Sequence, residues 1–138
     1  MLQDCVFCRI VAGEIPCFKL YEDEDTLAFM DINPASAGHS LAIPKRHYPD
    51  VYQLPDELLA ATAATARRVA RAINDVLQPA GLNLVQANGP GAAQSVLHFH
   101  MHILPRGVDD GLKLNWGLRP GDMSQIEEFC DRIRARLD

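Results

Sequence analysis

Hydrophobic residues recur at helical spacing through residues 55–77, and this segment predicts the longest helix of the chain. Pro55 suits the first turn of a helix, and Asp56, directly after it, favours the positive N-terminal end. The apolar stripe consists of Leu58, Leu59, Thr62, Thr65, Ala66, Val69, Ala70 and Ile73. Pro79 and Gly81 then indicate the end of the helix.

Strand-like segments surround this helix. Alternating patterns and turn residues predict strands over residues 19–21, 26–31, 40–43, 81–87 and 96–104. A short helix is predicted over residues 5–12, and an amphipathic helix runs from Ser124, which begins an S-x-x-E capping box, to near Leu137. Because short links join the strands around one long helix, the sequence predicts an α+β fold with a mainly antiparallel sheet of about five strands.

Length and charge restrict the classes of function. The chain has 138 residues, which suits a single domain over residues 1–138. The formal net charge is −5 and no run of lysine and arginine forms a basic stripe, so a nucleic-acid partner is not expected. No apolar stretch approaches the roughly 20 residues that span a membrane, and the N-terminus lacks the pattern of a signal peptide. We therefore expect a cytoplasmic protein with no membrane partner and no disulfides.

Three histidines alternate with apolar residues in the segment His98-Phe99-His100-Met101-His102. In a strand, this period of two places the three imidazoles on one face, with neighbouring Cα atoms about 6.5–7 Å apart. A neutral imidazole is a nucleophile near neutral pH, and adjacent imidazoles can share protons or bind one metal ion. A solvated strand face is the alternative, although such a face has no need of histidine. The array favours nucleophilic attack on phosphorus, with a three-histidine catalytic metal site as the rival.

The segment from Gln94 to Leu104 resembles the signature of the histidine triad (HIT) superfamily, in which three histidines alternate with apolar residues. Further blocks are similar to the bacterial Hint-like branch of that superfamily: residues 4–10 with 13–16, residues 27–34, residues 38–39 and residues 43–47. The resemblance covers about residues 4–106 and leaves residues 107–138 as a C-terminal extension. It implies a HIT-like fold.

The resemblance implies a nucleotide hydrolase or transferase that acts on a nucleoside monophosphate joined to a leaving group. His100 would be the nucleophile, and His102 would bind the phosphate oxygens. Gln94 and Ser95 would contact the α-phosphate and the leaving group. The nucleoside pocket would be formed by Phe29, Asp31 and Ile32, and Asn88 would be a phosphate-side or ribose-side asparagine. Within that pocket, the aspartate carboxylate would accept hydrogen bonds from the ribose hydroxyls.

Cys5 and Cys8 form a C-x-x-C pair, which is a weak metal signal on its own. With His47 and His98 they would supply two thiolates and two imidazoles, a set suited to structural zinc. Several bacterial relatives with a similar N-terminal block carry such a zinc, so the resemblance implies structural zinc and no catalytic cofactor. His39 would stand beside the sheet as a supporting residue.

The favoured hypothesis is cleavage of an adenosine or guanosine 5′-phosphoramidate, or a related nucleotide, through a covalent intermediate on His100. Two alternatives stay open: a diadenosine polyphosphate hydrolase, and a non-enzymatic interaction module that binds nucleotide or zinc. The resemblance also implies a purine nucleotide substrate and a homodimer. The sequence does not decide whether Trp116, within residues 107–121, reaches a partner subunit.

Overall fold

A computed structural model describes residues 2–137, and Met1 and Asp138 lie outside the described residues. The strands are β1 (Lys19–Glu22), β2 (Thr26–Met30), β3 (Ser40–Pro44), β4 (Gly81–Gln86) and β5 (Met101–Arg106). The helices are α1 (Val6–Val11), α2 (Asp56–Leu77) and α3 (Met123–Arg134), with a short 3₁₀ turn at Pro90–Ala92. All strand pairs are antiparallel, in the order β1-β2-β3-β5-β4. The predicted α+β fold is confirmed.

The sheet buries two unlike faces, because side chains alternate along a strand. Ala28 of β2 and Ala42 of β3 pack against α2, and their small side chains let Val69 and Ile73 of the helix approach closely. The larger residues of the same two strands pack against the N-terminal segment. That second cluster consists of Cys5, Phe7, Cys8, Leu27, Phe29, Leu41 and Ile43. The helices α1 and α2 therefore cover opposite faces of the sheet.

The histidine segment departs from the predicted strand over residues 96–104. Pairing with β3 starts only at the first residue of β5, and residues 96–98 form a bend. The N–H of Phe99 donates to the carbonyl of Tyr48 at 2.7 Å, so a loop residue takes the place of a strand partner. The predicted strand is therefore wrong in its first half, because this loop captures the backbone before the sheet does.

The predicted alternation of faces nevertheless holds around the bend. The rings of His98 and His100 meet the ring of Phe7 edge to face, at centroid distances of 5.8 and 5.2 Å. Phe99 points the other way and is buried in a cluster with residues of α2 and the loop before it. Leu97, the apolar residue before His98, is 66% exposed and lies in the bend.

The C-terminal helix begins one residue earlier than predicted and ends at Arg134. Asp122, not Ser124, is its N-cap, because the Asp122 carboxylate accepts hydrogen bonds from the N–H groups of Ser124 and Gln125. The predicted capping box is therefore wrong by two residues. No residue of α3 is buried. Among residues 2–137, none of the helices combines the length and apolar character needed to cross a membrane.

Two contacts outside the sheet fix its flanks. Gly38, in the turn before β3, has φ of +89°, and a Cβ there would lie 2.5 Å from Cδ1 of Leu77 at the end of α2. After β5, the buried guanidinium of Arg106 donates to both carboxylate oxygens of Asp110 and to the side chain of Asn83. The turn that leads into β3 therefore requires glycine at position 38, and the bonds of Arg106 hold the start of the C-terminal extension.

Candidate functional site

A pocket of about 550 Å³ opens between α1 and the neighbouring ends of β2, β3 and β5. Its apolar lining includes Val6, Phe7, Ile10, Ile15 and Leu41. The polar groups that line it are Asp31, Asn33, His39, Ser95, His100 and His102. Phe29 and Ile32, which the sequence also predicts as site residues, line the same pocket. The sequence motifs from four separate parts of the chain therefore meet in one cavity.

His100 lines this pocket with a buried imidazole. Its Nδ1 lies 2.7 Å from the main-chain carbonyl oxygen of His98. Because a carbonyl oxygen can only accept, Nδ1 carries the proton and Nε2 keeps its lone pair. Burial is the main reason that the pKa of His100 lies below its ordinary value. At neutral pH the ring is therefore a neutral imidazole whose basic atom is Nε2.

His39 and His102 form a chain of hydrogen bonds beside the nucleophile. The N–H of Ala35 donates to Nδ1 of His39 at 2.9 Å, so a neutral His39 carries its proton on Nε2. That Nε2–H donates to Nδ1 of His102, 2.9 Å away, and His102 in turn is protonated on Nε2. Burial lowers the pKa of both rings, that of His102 to about 4. The donor of His102 is thus its Nε2–H, on a ring that lines the pocket.

Asp31 adds a carboxylate to the same pocket. Its Oδ1 accepts the N–H of Asn33 at 2.8 Å, which forms the turn after β2. Its Oδ2 lies 3.4 Å from Nε2 of His39, a weak contact that leaves this oxygen able to accept from a hydroxyl. Phe29 is buried edge-on to Phe7 at 5.6 Å.

Gln94 and Asn88 use their side-chain amides within the protein. Gln94 donates to the carbonyl of Pro49 at 2.6 Å and accepts the N–H of Gly89 at 2.8 Å. Asn88 accepts the N–H of Val51 at 2.8 Å. Both amides therefore join the loop before the histidines to the loop before α2, and neither residue lines the pocket. Their contact with a nucleotide stays a prediction.

A second group of ligand-bearing side chains lies next to the pocket. The donor atoms of Cys5, Cys8, His47 and His98 all lie within 4.8 Å of one another. Nδ1 of His98 is 3.5 and 3.7 Å from the sulfurs of Cys5 and Cys8, and 3.2 Å from Nδ1 of His47. Nε2 of His98 donates to the carbonyl of Pro44 at 2.8 Å, so Nδ1 turns its lone pair towards the group.

This arrangement fits a tetrahedral zinc ion. Bonds of about 2.3 Å to sulfur and about 2.05 Å to nitrogen give S–N edges of about 3.6 Å and N–N edges of about 3.3 Å. The observed S–N distances are 3.4 to 3.7 Å and the N–N distance is 3.2 Å. Four protein ligands would fill the coordination sphere of such an ion, which is typical of a structural centre. The structure therefore contains a candidate metal site in the predicted ligand set.

Asp31, His39 and His102 form the other cluster of potential ligands among residues 2–137. Here the proton positions oppose a metal, because the nitrogen of His39 that faces the cluster carries its proton and has no free lone pair. His100 belongs to neither cluster within the described chain. The structure therefore gives no support to a catalytic metal held by the three alternating histidines.

Two contacts in the site are not predicted by the sequence. His39 was placed beside the sheet, but its bond to His102 joins residues 63 positions apart and leaves no local pattern. Phe7 touches both His98 and His100, although its position between two cysteines indicates only a helix core. The block formed by Gly38 and His39 was the one available signal for the first contact.

Comparisons with known proteins agree with this geometry. The HIT domain family matches residues 12–108. Protein hit of Bacillus subtilis (strain 168) is 47% identical over 138 residues, covering 98% of this chain and 95% of the relative. Adenylylsulfatase HINT3 of Arabidopsis thaliana is 44% identical, covering 95% of this chain and 66% of the relative. Adenosine 5′-monophosphoramidase hnt1 of Schizosaccharomyces pombe is 39% identical, covering 98% and 99% of the two chains.

Solved structures share the whole fold. A crystal structure of a HIT family member from Bacillus subtilis superposes with a TM-score of 0.91 at 42% identity, covering 99% of each chain. A zinc-bound histidine triad family protein from Mycobacterium smegmatis superposes with a TM-score of 0.75 at 38% identity, covering 98% of this chain and 96% of the other.

The fold and the site together define a histidine triad protein: one antiparallel sheet, with two of three alternating imidazoles, His100 and His102, lining its pocket. The chain belongs to the HIT family. The predicted resemblance is therefore confirmed, and the predicted enzyme agrees with relatives that are named as hydrolases.

We expect His102 to be neutral in the folded protein at pH 6 and His39 to be neutral at pH 7, each with its proton on Nε2. Long-range proton–nitrogen NMR on histidine-labelled protein measures this directly, with the urea-unfolded chain as the reference. Because the pKa of His102 is about 4 when folded and about 6.5 when unfolded, the unfolded chain binds more protons between these values. The free energy of unfolding should therefore fall as the pH drops from 6.5 towards 4. A charged His102 at pH 6, or a proton on Nδ1 of either neutral ring, would contradict the assigned chain of hydrogen bonds.

Proposed function

We propose that this protein hydrolyses a nucleoside 5′-phosphoramidate, or a related compound with a leaving group on a nucleoside monophosphate, through a covalent nucleotide on His100. The observation that carries the proposal is the buried His100, whose Nδ1–H is held by a backbone carbonyl so that Nε2 is the free nucleophilic atom in the pocket. Similarity to an adenosine 5′-monophosphoramidase and an adenylylsulfatase supports this class of substrate.

In the first step, Nε2 of His100 attacks the α-phosphorus, and the bond from phosphorus to the leaving group breaks. The departing amine takes up a proton from solvent, which the attacking water returns in the second step, and Ser95, which lines the pocket, would contact the amine. In the second step, water attacks phosphorus, the N–P bond breaks, and the nucleoside monophosphate leaves with the imidazole restored. The Nε2–H of His102 would donate to a phosphate oxygen in both steps and stabilise the charge that develops there.

The nucleoside half of the substrate would occupy the side of the pocket nearest α1. Oδ2 of Asp31 would accept hydrogen bonds from the ribose hydroxyls, and the apolar surface of Phe29 and Ile32 would contact the purine base. Gln94 and Asn88 would contact the phosphate side of the nucleotide, and each would first have to exchange a present bond within its loop.

Two other functions make different demands on the same site. A diadenosine polyphosphate hydrolase uses the same nucleophile with a second nucleotide as leaving group, and initial rates on both substrate types distinguish it. A non-enzymatic module would bind nucleotide without turnover. The similarity to an adenylylsulfatase makes adenylyl sulfate the third substrate to compare.

Replacing the nucleophile tests the covalent mechanism. His100→Gly should lower kcat by at least about 10³-fold, because no other group in the pocket replaces the attacking nitrogen. Rapid mixing of wild-type protein with a phosphate-labelled adenosine phosphoramidate should place the label on His100, as read by mass spectrometry after acid-free quenching. Ser40→Ala, at a buried hydroxyl bonded to Met30 and Gly38 outside the pocket lining, serves as the control. Wild-type rates in His100→Gly would overturn the mechanism.

We also propose that Cys5, Cys8, His47 and His98 bind one structural zinc ion, on the ground of their tetrahedral spacing and of a zinc-bound relative. The two thiolates, together with the unpaired Cys17 outside the cluster, suit a reducing compartment, and we place the protein in the cytoplasm.

Elemental analysis of purified protein should give one zinc per chain, and Cys8→Ser should lower this value to near zero. Cys130→Ser changes an exposed cysteine in α3 and should leave the zinc content unchanged. A metal-free wild-type protein, purified without chelator from zinc-supplemented cells, would contradict the assignment.

We further propose a homodimer in which the second copy covers α3. The apolar side chains of Ile126, Phe129 and Ile133 share one face of this helix and are exposed. A helix with an exposed apolar face gains most of its stability by packing that face against a partner. An apolar groove of about 450 Å³ between α2 and β1 is equally open, with Arg68 among its lining residues. The acidic side chains of α3 from one copy would form ion pairs with Arg68 of the other copy. Each copy thus offers both halves of the contact.

Light scattering after size exclusion should give twice the chain mass. The double variant Ile126→Glu with Phe129→Glu should shift the mass to one chain at micromolar concentration, because it places charge in an apolar contact. Tyr52→Glu, in the loop before α2, is an exposed control that adds a single glutamate outside the helix. A double variant that keeps twice the chain mass would exclude α3 from the interface.

A further inference from the structure

We propose that Cys5, Cys8, His47 and His98, once they hold zinc, position the catalytic imidazole of His100 through the peptide that follows His98. The cluster would then be part of the catalytic apparatus without touching substrate. This inference rests on the proposed function and the proposed zinc, and its test separates the failure of each.

The peptide between His98 and Phe99 is held from both sides. Its carbonyl oxygen accepts the Nδ1–H of His100 at 2.7 Å, and its N–H donates to the carbonyl of Tyr48 at 2.7 Å. A trans peptide is planar, and its N–H and C=O point in opposite directions, so rotation that breaks one bond also misdirects the other. Strand pairing with β3 begins only after this peptide, at the start of β5. Its orientation therefore depends on groups outside the sheet.

The metal ligands flank this hydrogen bond on both chain segments. His47 precedes Tyr48, and His98 precedes Phe99, so one ligand stands next to each partner of the bond. The two Nδ1 atoms lie 3.2 Å apart. An ion bound between them ties the two segments together where the peptide needs its anchor. The bond from His98 to the carbonyl of Pro44 fixes the remaining rotation of that imidazole.

The helix α1 supplies a second constraint on the same imidazole. Phe7 lies between Cys5 and Cys8 in the sequence, so the two thiolate ligands fix its place in the fold. Its ring stands nearly perpendicular to the ring of His100, at 86° and a centroid distance of 5.2 Å. It meets the ring of His98 at 5.8 Å. A shift of α1 would therefore remove packing from the nucleophile as well as from a ligand.

Without an ion, little keeps the cluster at its present spacing. The lone pair of Nδ1 of His98 faces two sulfur atoms and a nitrogen at 3.2 to 3.7 Å, and thiols are weak donors. Separation of His47 from His98 then loosens the bond between Tyr48 and Phe99. The carbonyl turns, and the imidazole of His100 loses the acceptor that fixes its tautomer.

The variant His47→Asn tests this coupling. His47 is the half-buried ligand of the set and lies outside the pocket lining. Arg46→Gln, at the exposed neighbouring position, is the matched control. In His47→Asn we expect loss of zinc and a fall of about 10- to 100-fold in kcat for an adenosine phosphoramidate, with a smaller change in KM. The KM changes less because Asp31 and Ile32 sit on the β2–β3 connection.

A second readout does not depend on turnover. In zinc-loaded wild-type protein, NMR of labelled histidine should show the Nδ1–H of His100 as a slowly exchanging downfield proton, and in His47→Asn this signal should broaden or vanish. Arg46→Gln should retain it. His47→Cys, which restores a zinc ligand, should recover the signal and kcat in proportion to bound zinc. Far-UV circular dichroism verifies that α2 remains folded in every variant.

The outcomes separate the hypotheses. A zinc-free His47→Asn that keeps both kcat and the His100 proton signal overturns the positioning role, as does a wild-type protein that binds no zinc. If His47→Asn does not fold, chelator-treated wild-type protein replaces it, and the signal must disappear with the metal and return with added zinc. If wild-type protein turns over no nucleotide, the proposed function fails, while the NMR comparison still decides the coupling.

Discussion

The sheet has to bury two unlike faces, and the site depends on how it does so. Alanines at positions 28 and 42 make one face flat, which lets α2 lie close against it. On the opposite face, the larger side chains of Leu27, Phe29 and Ile43 pack against the N-terminal segment that contains the short helix α1. The pocket lies on this second side, where α1 leaves the neighbouring ends of β2, β3 and β5 uncovered. The alternation of large and small side chains thus places the long helix on one face of the sheet and the pocket on the other.

Local patterns were sufficient for most elements and for several residues that line the pocket, among them Asp31, His100 and His102. The alternation around His100, the helical stripe of α2 and the spacing of Cys5 and Cys8 are each visible within a few residues. The bend at residues 96–98 was not visible, because it is caused by the carbonyl of Tyr48 in a distant loop. Such a contact competes with strand pairing only once the chain is folded.

The same limit applies to the finer chemistry. The capping residue of α3 was misplaced because Asp122 and Ser124 are both good N-caps, and only the geometry of the preceding turn decides between them. The bond between His39 and His102 crosses from β3 to β5 and depends on register. Register is a property of the assembled sheet, so no single stretch of sequence contains it.

Main-chain groups assign the proton positions throughout the site. The N–H of Ala35 donates to Nδ1 of His39. The carbonyl of His98 accepts from Nδ1 of His100, and the carbonyl of Pro44 accepts from Nε2 of His98. Peptide groups do not titrate, so these assignments hold wherever the imidazoles are neutral. Burial acts in the same direction by keeping the rings uncharged. The imidazoles therefore differ in role although they share one chemistry.

The glycine before β3 connects this proton chain to the far end of α2. Position 38 has a backbone angle that L side chains rarely adopt, and Leu77 occupies the space that a Cβ would need. The same turn carries Ala35 and His39, which begin the chain of imidazoles. Any larger residue at position 38 would therefore strain the turn that carries Ala35 and His39. A substitution beside α2 would in this way disturb the imidazoles on the opposite face of the sheet.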